Sequence, residues 1–156
     1  MSEEYRAYYH SPIGWIRITG TEEGIASLYF VDDPEASAGE IPPCLQECVR
    51  QLEEYFQGQR RAFSLKLLPR GTEFQQRVWA QLLKVPYGST ASYRDIALAL
   101  GDPDAVRAVG SANGKNPISI IIPCHRIIGS GGKLIGYGGG VWRKEWLLRH
   151  ERGVLV

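Results

Sequence analysis

Cys124, His125 and Arg126 follow one another directly, behind Pro123 and the apolar run 118–122. A thiolate is a strong nucleophile, and a neighbouring base or cation makes it easier to form. The pattern points to a thiol delivered to an interior site with a base beside it. Adjacent residues need not face one another, so an inert buried cysteine beside a structural histidine is the competing reading. Cys44 and Cys48 stand four apart in a helical pattern. No histidine lies at zinc spacing from them, so two small buried thiols are expected rather than a metal pair. Three cysteines, an odd count, also argue against a disulfide framework.

The elements around Cys124 must position it. The run 118–122 reads as a buried extended segment leading into the site. Residues 129–140 hold seven glycines in twelve, without the Gly-Lys-Ser or Gly-Lys-Thr of a phosphate loop. Such a loop needs positive φ angles or backbone contact with a flat ligand. A last helix is expected over 144–150, with Glu151 just beyond. Upstream, Thr72-Glu73-Phe74-Gln75 is a capping box for a helix that ends before Pro86-Tyr87-Gly88. Ser92 starts another helix and Gly101 stops it. Asp102 and Pro103 then fit the start of a third that runs towards Gly114. Two short helices about Gly101 are a helix-turn-helix candidate. Ala105, Ala108, Gly110, Ser111 and Ala112 permit close approach, either to another helix or to a bound partner.

The first part of the chain looks different. Strands are expected over 15–19 and 25–31, a proline-rich loop over 32–43, a helix from Pro43 through Phe56, and an alternating strand at Phe63, Leu65 and Leu67. Pro69-Arg70-Gly71 punctuates the chain, and domains are expected over 1–69 and 72–156. Charge changes sign there: residues 1–71 carry a net −4 and residues 72–156 a net +5, within an overall +1. The basic half hints at an anionic partner. No apolar run approaches membrane-span length. The start, residues 1–6, is acidic and polar, unlike a targeting segment. A soluble, cytoplasmic protein is expected.

From Thr72 onwards the chain resembles the O6-alkylguanine-DNA alkyltransferase family. The resemblance rests on Arg107-Ala108-Val109-Gly110, Ala112-Asn113-Gly114-Lys115-Asn116-Pro117, Ile122-Pro123-Cys124-His125-Arg126-Ile127-Ile128, Gly136-Tyr137-Gly138-Gly139-Gly140, Lys144-Glu145-Trp146-Leu147-Leu148 and Glu151. Thr72-Glu73-Phe74-Gln75, Val78-Trp79, Pro86-Tyr87-Gly88 and Ser92-Tyr93 extend it upstream. The first 70 residues match only loosely. The resemblance implies an α/β, ribonuclease-H-like N-terminal domain, followed by a mainly α, winged-helix-like C-terminal domain with a helix-turn-helix.

It also implies roles. Cys124 would take the alkyl group from O6-alkylguanine in double-stranded DNA, after the base is flipped out from the minor groove. His125, through a water, would be the base, oriented by Glu151. Tyr93 would donate to the base, and Asn116 would hold the turn around the site. The carbonyls of Cys124 and Ile127 would meet the exocyclic amine and the Gly138 N–H the guanine oxygen, with Tyr137 packed in the pocket. Arg107 would enter the base stack, while Ala105, Ala108, Ser111, Ala112 and Arg126 contact DNA. No metal or other cofactor is needed, and the protein would act once, as a monomer.

Ser119 stands where some members carry proline, and Asn113 replaces a larger residue. Both imply a roomier pocket that accepts alkyl groups larger than methyl. A non-catalytic lesion sensor of the alkyltransferase-like kind would carry another residue, usually tryptophan, in place of Cys124. A winged-helix regulator would present several long base-reading side chains rather than an Ala/Gly-rich helix. A cysteine hydrolase would need an oxyanion hole and would turn over.

Overall fold

The computed structural model describes residues 3–32 and 39–153. It divides into two compact units, Met1–Pro69 and Arg70–Val156.

The first unit is an antiparallel meander under one helix. Strands β1 (Tyr5–Ser11), β2 (Gly14–Thr21) and β3 (Gly24–Val31) pair in sequence order. One sheet face aligns Ala7, Ile18 and Leu28 in one row and Tyr9, Ile16 and Phe30 in the next. Ile16, Ile18 and Leu28 are fully buried. Helix α1 (Pro43–Phe56) adds Leu45, Cys48, Leu52 and Tyr55, also fully buried. Each such side chain contributes about 1.5–3 kcal/mol by leaving water. Of the two thiols expected to be buried, Cys48 is a core thiol, whose pKa burial pushes up to about 12, whereas Cys44 is only part-buried.

Two expectations change here. β1 is absent from the expectations: Tyr5, Ala7 and Tyr9 share one face, but Tyr8 stands with Arg6 and His10 on the other and breaks the apolar–polar rhythm. The strand expected at Phe63, Leu65 and Leu67 reduces to one parallel bridge, Ile25 with Leu67. The Gln51 side chain takes the pairing that a neighbouring strand would have given. Its amide donates to the Ser64 carbonyl (3.1 Å) and its oxygen accepts from the Ser64 N–H (2.9 Å).

The second unit is mainly helical: α2 (Glu73–Leu82), α3 (Tyr93–Ala99), α4 (Val106–Gly114) and α5 (Val141–Glu151). Complete capping boxes start α2, at Thr72 and Gln75, and α3, at Ser92 and Asp95. Trp79 is buried in α2, and its indole donates to the Ala112 carbonyl (2.9 Å), tying α2 to α4. Gly101, at φ 80°, turns the chain between α3 and α4, a conformation that a Cβ would strain. α4 starts at Val106, not near Pro103. Asp102 spends its side chain on the Asp104 N–H, and its carbonyl takes the Ala105 N–H, so a separate turn precedes the helix. β4 (Ala91–Ser92) and β5 (Ile127–Ile128) form a short parallel pair that brings the start of α3 alongside the residues following Cys124.

Candidate active site

The segment before Cys124 is a buried turn, not the extended run expected. Ile118, Ile120, Ile121 and Ile122 are all buried. The chain doubles back through hydrogen bonds from Ile121 N–H to the Ser119 carbonyl (2.8 Å) and from Ile122 N–H to the Ile118 carbonyl (3.0 Å). Ile120 adopts φ 71°, a costly conformation for a β-branched residue, about 1–3 kcal/mol. Asn116 holds the turn at both ends. Its oxygen accepts from the Ile118 N–H (2.9 Å) and its amide donates to the Ile122 carbonyl (2.7 Å). A run that is apolar except at Ser119 carries no periodicity that separates a turn from a strand, although the resemblance gives Asn116 a turn to hold.

Cys124 opens a single 3-10 turn, Cys124–Arg126, and is 6% exposed. Burial pushes its thiol pKa up, while the Asn116 side chain and the Lys144 charge pull it down. At rest it is therefore a thiol that needs a base. His125 is completely buried. Its Nε2 lies 2.6 Å from Glu151 Oε2, and its Nδ1 has no hydrogen-bond partner among the described residues. Glu151 ends α5. Burial favours its neutral form, but hydrogen bonds and charge from His125 and Arg126 outweigh that and hold its carboxyl well below the usual range. The carboxylate can only accept, so it fixes the histidine proton on Nε2 and leaves Nδ1 as a lone pair. Burial lowers the pKa of His125, and the charges of Arg126 and Lys144 add to that, against the pull of Glu151. The neutral imidazole, the form that can take a proton, is favoured.

Arg126 corrects an expectation. It was read as a DNA contact, yet its side chain is 8% exposed. Nε and Nη2 donate to the two oxygens of Glu151 (2.8 and 3.1 Å), and Nη1 donates to the Val85 carbonyl (2.8 Å). A guanidinium committed to a buried carboxylate is not free to meet phosphate. Helix α4 divides the other expected contacts. Arg107, Ala108 and Ser111 are exposed on one face. Ala105 and Ala112 are turned inward with Val109, so they pack the core rather than face a partner.

Tyr93 is the first residue of α3 and half-buried. Its hydroxyl donates to the Ile135 carbonyl in the glycine-rich loop (3.2 Å). Burial and the charge of Cys124 raise its pKa. Asn113 is buried, with Nδ2 3.5 Å from the Cys124 carbonyl and Oδ1 unpartnered. Tyr137 has a deeply buried hydroxyl, raised well above the ordinary phenol range by burial and then by Cys124, against the pull of Ser119. Ile127 is buried and Gly138 exposed. The loop carries positive φ at Gly131, Gly132, Gly136 and Gly140. At Gly140, φ 94° lets the loop enter α5 directly.

Lys144 received no role from sequence. It is fully buried, and its Nζ donates to the carbonyls of Ile135 (3.0 Å) and Gly136 (3.4 Å). Its signal was present: Lys144, Leu147, Leu148 and Glu151 share one helical face, so a lysine stands on an apolar stripe. Among the described residues, no cluster of His, Cys, Asp and Glu could hold a metal, and no helix is long and apolar enough to cross a membrane.

Comparison with known proteins agrees over both units. Residues 5–69 match the model of the 6-O-methylguanine DNA methyltransferase ribonuclease-like domain, and residues 73–153 that of the same family's DNA binding domain. A methylated-DNA--protein-cysteine methyltransferase of Methanosarcina barkeri is 49% identical, covering 93% of this chain and 95% of its own. One from Mycolicibacterium paratuberculosis is 48% identical, covering 96% and 92%. The crystal structure of the Mycobacterium tuberculosis O6-methylguanine methyltransferase matches with TM-score 0.84 and 42% identity over 99% of this chain and 96% of that one. The M. tuberculosis OGT in complex with DNA matches with TM-score 0.85 and 46% identity, over 94% and 91%. With family models spanning nearly the whole sequence and relatives this similar along their full length, the chain belongs to the 6-O-methylguanine DNA methyltransferase family.

Proposed function

We propose that this protein repairs DNA by direct reversal, moving the alkyl group of an O6-alkylguanine in a duplex onto Cys124, once per molecule. One observation carries the reading: a buried thiol neighbours a buried histidine, fixed on one nitrogen by a carboxylate and unpartnered on the other. The lesion lies within the base stack, so the base must turn out to reach that thiol. Exposed Arg107, flanked by Ala108 and Ser111, suits a helix pressed into the minor groove with its arginine entering the stack. In this reading α3 and α4 are the helix-turn-helix of a winged-helix-like domain over 72–156. Residues 1–69 serve as its support. The protein works as a monomer on DNA in the cytoplasm.

The chemistry is an in-line displacement. His125 Nδ1 takes the thiol proton through a water. Cys124 Sγ bonds the alkyl carbon as the carbon–O6 bond breaks, and that electron pair passes to the guanine. Tyr93 supplies a proton to the base, and the proton held by His125 replaces it, so charge balances. Glu151 keeps His125 in the required tautomer throughout. The step is redox-neutral and draws on no cofactor. The thioether formed is stable, which ends the protein's activity.

Recognition falls to backbone and wall. The Ile127 carbonyl and the Gly138 N–H are assigned to the amine and oxygen edge of guanine. The Cys124 carbonyl already accepts from the Ile127 N–H, and the 3.5 Å approach of Asn113 is the contact that would yield to the amine. Tyr137 and Ser119 form the wall, and Asn116 holds the turn. The test mixes purified protein with a duplex carrying one O6-methylguanine and weighs its peptides. One added methylene on the Cys124 peptide, one per protein, is expected. Lesion-selective binding with unmodified Cys124 would make the protein a damage sensor. Absence of both the modification and the selective binding overturns the reading.

A further inference from the structure

Lys144 is a buried charge that takes no proton or group in the proposed transfer step. Its ammonium lies on the inner face of α5 and reaches out of that helix to the loop backbone, at Ile135 and Gly136. The Ile135 carbonyl also accepts from the Tyr93 hydroxyl. One oxygen thus takes two donors, one for each lone pair. The donors differ in strength. The ammonium bond is charge-assisted and 3.0 Å long, whereas the phenol bond is neutral and 3.2 Å long. Side-chain packing here is confined to the Ile135 side chain, which lies against Gly129 yet is 52% exposed, and Gly136 has no side chain.

The conflict appears when substrate arrives. Tyr93 must give its hydroxyl to the base, and so must release Ile135. We propose that Lys144 is a positioning residue that keeps the Ile135–Gly136 backbone in place when Tyr93 leaves it, so that Tyr137 and Gly138 stay aligned for the base. The ammonium alone satisfies the carbonyl that the phenol vacates. A desolvated lysine is tolerated only where acceptors compensate it, and these two carbonyls are its acceptors. Its charge also draws the Cys124 thiol towards ionisation, so one residue serves both the loop and the nucleophile. The consequence for transfer rests on the proposed function; the latch itself is a property of the free protein.

Amide hydrogen exchange of residues 135–140 tests the latch without DNA. In Tyr93→Phe, exchange should stay within about twofold of the unsubstituted protein, because Lys144 remains. In Lys144→Met it should quicken roughly 10- to 100-fold, the loss of one charge-assisted bond. With lesion duplex, Lys144→Met should lower the maximal transfer rate by a similar factor and leave half-saturation within about twofold. A residue that only fills space would change neither the exchange nor that split. Quickened exchange in Tyr93→Phe, or unchanged exchange in Lys144→Met, overturns the proposal. Should Lys144→Met not fold, the Tyr93→Phe result still decides. Failure of the unsubstituted protein to take up alkyl groups would refute the proposed function and leave the exchange result standing.

Discussion

Replacing Arg126 with methionine separates a buried structural arginine from a DNA-contacting one. Methionine keeps much of the side chain's length and removes its charge. The guanidinium makes two bonds to Glu151 and one to the Val85 carbonyl, with the arginine side chain 8% exposed and the glutamate 1%. Its loss leaves a buried carboxylate bonded to a neutral His125 ring without the guanidinium charge, and removes the donor to Val85. Breaking a buried pair from one side costs about 3–5 kcal/mol. For a chain of this size each kcal/mol moves the melting midpoint by about 2–4 °C, so a fall of about 6–20 °C is expected. Arg126→Lys should fall between, keeping charge without the fork.

The same substitution has a signed effect on pH dependence. Arg126 lowers the pKa of His125 and shares the Glu151 charge. Without it, the histidine faces that charge alone and its pKa rises. Transfer should then fail at a higher pH on the acid side. Binding to undamaged duplex should keep its salt dependence, since a phosphate contact is worth about 0.9 in the slope of log affinity against log salt. Melting curves, a pH series of single-turnover rates and a salt titration read the three effects. An unchanged midpoint together with a slope reduced by about one would refute the burial argument and return Arg126 to the DNA surface.

Arg107→Ala should leave stability within about 0.5 kcal/mol, as an exposed substitution does, yet slow capture of the lesion. Single-turnover rates at limiting DNA check it. Asn116→Ala orphans the Ile118 N–H, at about 1–3 kcal/mol, and removes one of two donors to the Ile122 carbonyl, which keeps the Cys124 N–H; urea midpoints and transfer rates should both fall. Stability should decline as pH drops below 6.5, because the unfolded histidine takes a proton that folded His125, with its lowered pKa, refuses. It should also decline above about pH 9, where unfolded cysteine ionises and Cys48, raised to about 12, does not. Urea melts across pH, with His125→Gln flattening the acid limb and Cys48→Ala part of the alkaline one, read both. Benzyl transfer from O6-benzylguanine should proceed, given Asn113 and Ser119 in the pocket wall, and complete resistance to benzylguanine would remove the roomier-pocket reading.

Features with local causes were legible in the sequence. The capping box at Thr72, the helix start at Ser92 and the stop at Gly101 depend on residues a few positions apart, and the helices formed beside them. Cys124, His125 and Glu151 were legible through their motif, although only the fold brings Glu151 to within 2.6 Å of the ring. What stayed hidden depends on distant partners. The Arg126 side chain reads as a surface charge until Glu151 and Val85 meet it, and Ala105 and Ala112 read like Ala108 until α2 shows which face of α4 is covered. The turn over 118–122 leaves no pattern in the apolar run, and its only mark in the sequence is the turn-holding role that the resemblance gives Asn116.

Helix α5 joins the two halves of the site. Lys144 and Glu151 lie on one face, two turns apart, about 10 Å along the axis. The lysine holds the loop, and the carboxylate holds the turn that carries His125 and Arg126. Because both are buried on a rigid element, their separation fixes the distance between the backbone edge offered to the base and the thiol offered to its alkyl group. The charges fit the same division of labour. Glu151 is compensated by Arg126 and therefore does not need a proton on His125. Lys144 is compensated by carbonyl dipoles and by whatever negative charge Cys124 develops. The resting site thus holds a neutral base beside a protonated thiol, with one buried cation placed where the thiolate forms, and no other acid need ionise for the transfer to begin.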